Sequence, residues 1–405
     1  MKWIFGFSFI HICYNLIIRK LVIKKLKKED VSMKKLLTSL LCASMAVGLS
    51  ACGGGNSVPA TTAAPASQAE SAGETSSEAA EAAEAPASYE DVTGKVVIYT
   101  SMYEDIIDAM NEKMEEVFPN ADIEFFQGGT GTLQSKVAAE MDSGKLGCDI
   151  LMVAEPSYAL ELKEKDYLHP HKIPDADKLL FDYDPDGYWY PVRNLNMILA
   201  YNPEKNSKDS LPTSFEDFAK DSDLKGAISM GNPLTSGSSY AAVVALLDKY
   251  GEDYYKQLAA QEVTVESGSV ALTKLETGEC KEIMILEESV LKKREEEGSQ
   301  LEVIYPTDGV ICIPSPIMII KDEHSANNNI EACEAVEDWF MSLEGQKYIV
   351  AGWMHSVRSD YPNAPYDAIP TSEIVSNSMP IDWERCYKDR EEIRTLFQEN
   401  VTVPQ

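Results

Sequence analysis

The sequence predicts an α/β protein built as two lobes, and three observations carry that prediction. Strand-like and helix-like runs alternate from Gly94 onward, the pattern of a parallel sheet covered on both faces. Roughly 310 residues have folded character, more than one hydrophobic core comfortably serves. Four loops rich in Gly, Ser and Thr fall at strand-to-helix or turn-to-helix junctions, divided between the two halves.

The elements follow in order. Lys95–Tyr99 is a β-rich apolar run, and Glu104–Val117 has helical spacing through Ile106, Ile107, Met110, Met114 and Val117. Ile123–Phe126 and Asp149–Val153 read as strands, each trailed by a helix, at Leu133–Met141 and Tyr158–Lys165. Next come a strand at Met197–Tyr201, a helix around Phe215–Ala219, a strand at Ala227–Met230 and a helix at Tyr240–Tyr250. A helix at Val270–Leu275, a strand at Ile283–Leu286 and a helix at Ser289–Glu297 follow. Ile317–Ile320 is expected as a strand before helices near Ile330–Met341 and Gly345–Ala351.

Upstream of Gly94 the chemistry differs. Lys34 and Lys35 precede an apolar run from Leu36 to Val47, then Leu49-Ser50-Ala51-Cys52 and three glycines. A basic start, a short apolar core and small residues mark an export signal. The run is shorter than the roughly 20 residues a membrane span needs. Leu-Ser-Ala-Cys resembles the bacterial lipobox, in which the Cys is acylated and becomes the new N-terminus. A lipoprotein signal peptide over 33–51 and lipidation of Cys52 are therefore expected; residues 1–32, apolar and then basic, read as a second membrane segment or, in preference, as a mis-assigned extension ahead of a true start at Met33. From Gly53 to about Tyr89 the chain is rich in Ala, Ser, Glu, Thr and Pro. Such a segment buries too little surface to offset its ordering entropy, so a disordered linker is expected.

The chain carries a net charge of −30. Residues 1–51 hold nine basic and two acidic residues, leaving 27 against 64 beyond them, or −37. That balance argues against nucleic acid and against an anionic membrane surface as partners. Five cysteines follow Cys52, at 148, 280, 312, 333 and 386, with no Cys-x-x-Cys pair to suggest zinc. Buried free thiols are expected in preference to disulfides.

The four loops are Thr100-Ser101, Gly128-Gly129-Thr130-Gly131-Thr132, Thr235-Ser236-Gly237-Ser238-Ser239 and Ser267-Gly268-Ser269. Each offers hydroxyls and backbone N–H groups at a helix start, where partial positive charge attracts carboxylates and phosphates. Ligands of open α/β sheets sit beyond the carboxyl ends of strands, where these loops fall. Any one of them could be an ordinary N-cap; four together point to a binding cleft. No Walker A sequence, dinucleotide fingerprint, Gly-x-Ser-x-Gly elbow or His-Glu-x-x-His is present. His169 and His171 flank Pro170 in what reads as a solvated loop. No metal site and no cofactor are expected.

Gly94-Lys95-Val96-Val97-Ile98-Tyr99-Thr100-Ser101 resembles the opening strand of class 1 extracellular solute-binding proteins. The Gly-Gly-Thr-Gly stretch, Ala200-Tyr201-Asn202-Pro203, Leu224-Lys225-Gly226 and Leu343-Glu344-Gly345-Gln346 resemble the same family in order, from about Gly94 to Arg358. The resemblance implies a type II periplasmic-binding-protein-like clamshell, two α/β lobes joined by two hinge crossovers. The first crossover is expected near Tyr201 and the return near Pro314–Ile317. The implied organisation is a lipidated N-terminus and linker over 52–90, lobe 1 over 91–200, lobe 2 over 201–313, and a return to lobe 1 with C-terminal helices over 314–405. The implied partners are a small solute and an ABC permease, with the protein, a monomer, tethered by lipid to the extracellular face of the cell membrane.

Iron, phosphonate and sugar-phosphate receptors share this branch. Iron binders of the kind hold ferric ion on adjacent tyrosines after a strand of the second lobe, where this chain reads Leu286-Glu287-Glu288. Tyr254-Tyr255 is an adjacent pair, but on an ordinary amphipathic segment. The hydroxyl-rich loops suit phosphate or phosphonate instead. The expected ligand residues are Ser101, Tyr103, Gly129, Thr130, Gly131, Thr132, Ser236, Gly237, Ser238, Ser267, Gly268, Ser269, Glu287 and Arg358. Glu287 would accept hydrogen bonds from ligand hydroxyls or an amine, or else is a helix-start carboxylate held by the dipole. Arg193 and Arg358 could each pair bidentately with an anion, and Arg358 resembles a family position near the cleft. Surface salt bridging is the alternative for both. The expected function is capture of a small anionic solute, without enzymatic turnover. A ferric-iron receptor and a surface phosphatase are the competing readings.

Overall fold

The structure, a computed structural model, describes residues 89–401. The expected extension, signal peptide, Cys52 and nearly all of the linker lie outside the described residues. The linker's end is described: Tyr89–Asp91 forms a short 3-10 turn, with the Tyr89 ring 4.9 Å from that of Phe118.

The chain alternates strand and helix through β1 (Gly94–Thr100), α1 (Glu104–Val117), β2 (Ala121–Gln127), α2 (Thr130–Ser143), β3 (Ile150–Met152) and α3 (Ser157–Glu164). Then come β4 (Leu168–His169), the long β5 (Tyr190–Tyr201), α4 (Phe215–Phe218), β6 (Ile228–Gly231), α5 (Gly237–Tyr250) and α6 (Asp253–Ala260). β7 (Thr264–Glu266), α7 (Gly268–Thr277), β8 (Glu282–Leu286), α8 (Glu287–Glu297), β9 (Glu302–Ile304) and β10 (Ile311–Ile320) follow. The chain closes with α9 (Ile330–Met341), α10 (Leu343–Ala351), α11 (Thr371–Ser376), α12 (Trp383–Lys388) and α13 (Arg390–Asn400).

One curled sheet takes all ten strands, in the order β2-β1-β3-β10-β5-β8-β6-β7, with β4 on β10 and β9 on β5. Its two flanks are parallel, β2-β1-β3 and β8-β6-β7. Its middle is antiparallel, because β10 opposes β3 and β5, and β5 opposes β8. The sheet is thus mixed, where strand–helix alternation alone predicts a parallel one. Two long strands returning through the middle in opposite directions account for the difference.

Those strands are longer than their apolar runs. β5 begins at Tyr190 rather than Met197, and all twelve of its residues are buried, Arg193, Asn194 and Asn196 included. β10 begins at Ile311 rather than Ile317 and passes through Pro314 and Pro316, with a register shift between Ser315 and Pro316. Proline has no N–H for the ladder, so such a break belongs there.

Helix α1 keeps its predicted bounds, burying Ile106, Ile107, Met110 and Met114 on one side. Each such side chain contributes about 1.5–3 kcal/mol. α12 packs on α3 and α13 on α5 and α6, so the C-terminal segment touches elements of both flanks. All five described cysteines are free and buried. No helix among the described residues is long and apolar enough to cross a membrane.

Candidate functional site

Strand alternation builds the floor of the site. Successive side chains of β5 point to opposite faces. Arg193, Leu195 and Met197 turn into a cleft between the flanks, while Asn194 and Asn196 turn away from it. Helix starts form the walls. The N-termini of α1, α2, α5 and α7, and that of α8, all abut two connected cavities of about 160 and 430 Å³. Each helix start presents N–H groups and partial positive charge.

The smaller cavity joins the flanks. Ser101, Gly129, Thr130 and Gly237 line it, and Tyr103, Ser236 and Ser238 line both cavities. Two loops meet across it: Gly131 N–H donates to the Thr235 carbonyl at 3.2 Å. A Cβ on Gly237 would fall 2.8 Å from Thr130 Cγ2, and one on Gly131 3.1 Å from the Thr235 carbonyl. Glycine at both positions permits this approach. The Ser236 hydroxyl caps α5 by accepting from Ser239 N–H at 3.2 Å. Thr130 Oγ1 accepts from Ala154 N–H at 3.1 Å, tying α2 to the end of β3.

Arg193 is 2% exposed. Its Nη2 donates to Ser101 Oγ at 3.0 Å and its Nη1 to the weakly accepting Met354 sulfur at 3.1 Å. Nε has no acceptor among the described residues, and no carboxylate lies within ion-pair distance. Burial pulls this guanidinium below its usual pKa, against the pull of Glu288 and Tyr103, yet a guanidinium stays charged near neutrality. Glu288 lines the same cavity, and burial raises its carboxyl to about 7. The Tyr103 ring edge is exposed, but its hydroxyl turns inward to Ser289 Oγ at 2.9 Å, and burial raises it to about 12.

The wider cavity has Ser267 and Gly268 at one side and a largely apolar lining from Met197, Val265, Met284 and Leu286. Gly131 sits at the loop contact itself, whereas Thr132 and Ser269 are exposed and line neither cavity. Glu287 lies beneath the cleft, 1% exposed. It accepts from Asn196 Nδ2 at 2.7 Å and from the Tyr305 hydroxyl, and pairs with His355 Nε2 at 3.0 Å. Arg358 lies away from both cavities, locked to Asp360 through two 2.8 Å bonds and to the Met341 carbonyl at 3.0 Å.

The sequence reading placed Glu287 and Arg358 among the ligand residues and weighed Arg193 as a further anion partner, whereas the cleft itself is lined by Glu288 and Arg193. Adjacent residues at a helix start point about 100° apart, and the start of α8 is two residues earlier than its apolar pattern suggests. The signal for Arg193 was available: with Leu195 and Met197 it forms one face of an alternating strand.

Tyr254 and Tyr255 are buried, donating to the carbonyls of Phe215 and Val243 at 2.9 and 3.0 Å, far from a ligand role. His169 pairs with Glu334, and His171 with Asp338, each at 2.9 Å. Among the described residues no group of three or more His, Cys, Asp or Glu side chains is arranged to hold a metal ion.

The profile of bacterial extracellular solute-binding proteins matches residues 148–389, more than half the chain. The chain belongs to that family. Extracellular solute-binding proteins are non-enzymatic capture components that work outside the cytoplasm, and their ligand is a solute. A probable ABC transporter periplasmic-binding protein of Sinorhizobium fredii is 22% identical over 275 residues, 65% of this chain and 75% of that relative. AfuA, a periplasmic binding protein of Actinobacillus pleuropneumoniae solved with fructose-6-phosphate, superposes with a TM-score of 0.66 at 20% identity, over 76% of this chain and 98% of that one. Iron-bound HitA of Pseudomonas aeruginosa gives 0.62 at 20% identity, over 75% and 98%. The fold is that of type II periplasmic binding proteins, shared by receptors for quite different cargo.

Proposed function

We propose that this protein is the substrate-binding lipoprotein of an ABC importer and that it captures a small solute bearing a phosphate or phosphonate. The observation that carries this reading is Arg193, a buried guanidinium with a free Nε, no carboxylate in ion-pair range and a cavity before it. An isolated buried charge is costly unless something pairs with it. Converging helix N-termini and serine hydroxyls suit the same tetrahedral anion. The likeness to a sugar-phosphate-bound receptor is compatible with this reading, and the ABC-type relative supports a permease partner. Ferric iron has weaker support, since Tyr103 is the one tyrosine lining the cleft among the described residues. A phosphatase reading lacks a histidine base in the cleft, because His355 is engaged with Glu287 and Thr371 below it. Lipidation at Cys52 and a flexible linker would hold a monomeric receptor near its permease, with lobe boundaries near Tyr201 and Pro314.

The test is a thermal-shift panel of phosphonates, sugar phosphates and ferric ion. A ligand at 100 times its Kd stabilises by about 2.7 kcal/mol. Organophosphorus anions should raise the melting temperature of the wild type, and Arg193→Met should abolish the shift while melting no lower than wild type without ligand. A shift from ferric ion alone would overturn the anion reading.

A further inference from the structure

Arg193 and Glu288 present an unusual pairing of opposite charges. Both side chains line the 160 Å³ cavity, and both are at least nine-tenths buried, at 2% and 5% exposure. No nitrogen of Arg193 comes within 4.0 Å of a Glu288 oxygen. Glu288 makes no hydrogen bond or ion pair with any other described residue, so both charges stand open to the same space. A simple anion seated on Arg193 would relieve the guanidinium but would face an opposing carboxylate. A ligand carrying both charges would satisfy the two sides together, and electrostatic complementarity of that kind is what fixes specificity in a desolvated site.

We infer that the cleft is built for a zwitterion, with its oxyanion on Arg193 and an ammonium group on Glu288, and that Glu288 is the residue that determines this specificity. The inference rests on the anion reading above and narrows it, since sugar phosphates carry no cation. The charged or titratable groups facing Glu288 are Arg193 from β5, Tyr103 from the loop after β1 and Glu287 from its own helix. Arg193 favours the ionised carboxylate and Glu287 opposes it, and burial leaves the free carboxyl near 7. Capture of an ammonium group should therefore weaken as the solution is acidified below neutrality.

Calorimetry with 2-aminoethylphosphonate and n-propylphosphonate isolates the cation, since the two differ in NH₃⁺ against CH₃. The wild type should prefer the amino compound by about 30-fold or more at pH 8. That preference should shrink as pH falls from 8 to 6 more steeply in the wild type than in Glu288→Gln, where the same pair of ligands carries the same phosphonate titration. In Glu288→Gln the amino compound should lose its advantage and propylphosphonate should bind more tightly, because nothing repels it. Glu288→Asp, which keeps the charge, should retain a preference for the amino compound. Equal binding of both phosphonates by the wild type would overturn the zwitterion while leaving the anion reading intact. Binding of neither, or tighter binding of fructose-6-phosphate than of the amino compound, would also overturn it, the former together with the anion reading.

Discussion

Glu282 shows how far a single buried group governs the behaviour of this fold. It begins β8 fully buried, and neither carboxyl oxygen has a partner among the described residues. Burial, with Asp221 adding repulsion, raises its carboxyl to about 9. The folded state therefore holds this proton more tightly than the unfolded chain does. Stability from Glu282 is complete below the ordinary carboxyl range, falls as pH rises from about 4.5, and levels off above about 9. Glu282→Gln cannot ionise and should escape that loss. Between pH 5 and pH 8 the wild type should lose on the order of 2–4 kcal/mol more than the variant, measured by urea unfolding at each pH. Parallel pH profiles would show that the carboxyl finds a partner or water in solution. Residues of this kind also mark where sequence reading stops. Nothing in Glu-Ile-Met-Ile-Leu announces that its glutamate is buried, since only the sheet order puts β6 and β5 on either side of it. Glu288 was hidden for a related reason, and Arg193 was weighed as an anion partner but not placed in the site: a charged residue is read as exposed until its strand or helix partners are known.

At the scale of elements, the short-range signals were strong and the long-range ones were not. Helix α1 is legible to the residue because its apolar spacing and acidic first turn agree. β5 and β10 were legible only at one end, since asparagines, an arginine and three prolines interrupt their apolar runs. One of those interruptions, Asn196, joins Glu287, Tyr305 and His355 in a buried polar cluster beneath the cleft. The proposed clamshell would have the loops above this cluster close over the ligand. Gly237 tests that directly. It opens α5 without a positive φ, so alanine costs the helix nothing and even favours it. Its Cβ would press on Thr130 only when the two loops meet. Gly237→Ala should leave the unliganded melting temperature unchanged or slightly raised. It should weaken ligand binding by about 10- to 100-fold, the equivalent of 1–3 kcal/mol of overpacking. Unchanged affinity would mean that closure does not bring these loops together.

For the whole molecule, the loop contact bears on the proposed opening and closing of the cleft. On the proposed clamshell, the Gly131–Thr235 hydrogen bond and the close packing of Gly237 on Thr130 are contacts expected of a closed cleft. On that proposal a shut cleft cannot load, so an open state is expected to exchange with this one. A ligand bridging Arg193 on the mid-sheet to the helix starts of both flanks binds the closed state better than the open one, and only such differential affinity can shift the balance. On the same proposal, the expected movement is a hinge motion about β5 and β10, with the register break at Ser315 and Pro316 as its proposed yielding point. Small-angle scattering on the folded part should therefore show a compaction on saturation with a phosphonate that binds. The liganded curve should match the closed coordinates, and the free protein should be larger. Gly237→Ala should remain expanded at ligand concentrations that close the wild type. Identical scattering with and without saturating ligand would show that the cleft loads without closing, and the hinge assigned to β5 and β10 would have to be abandoned.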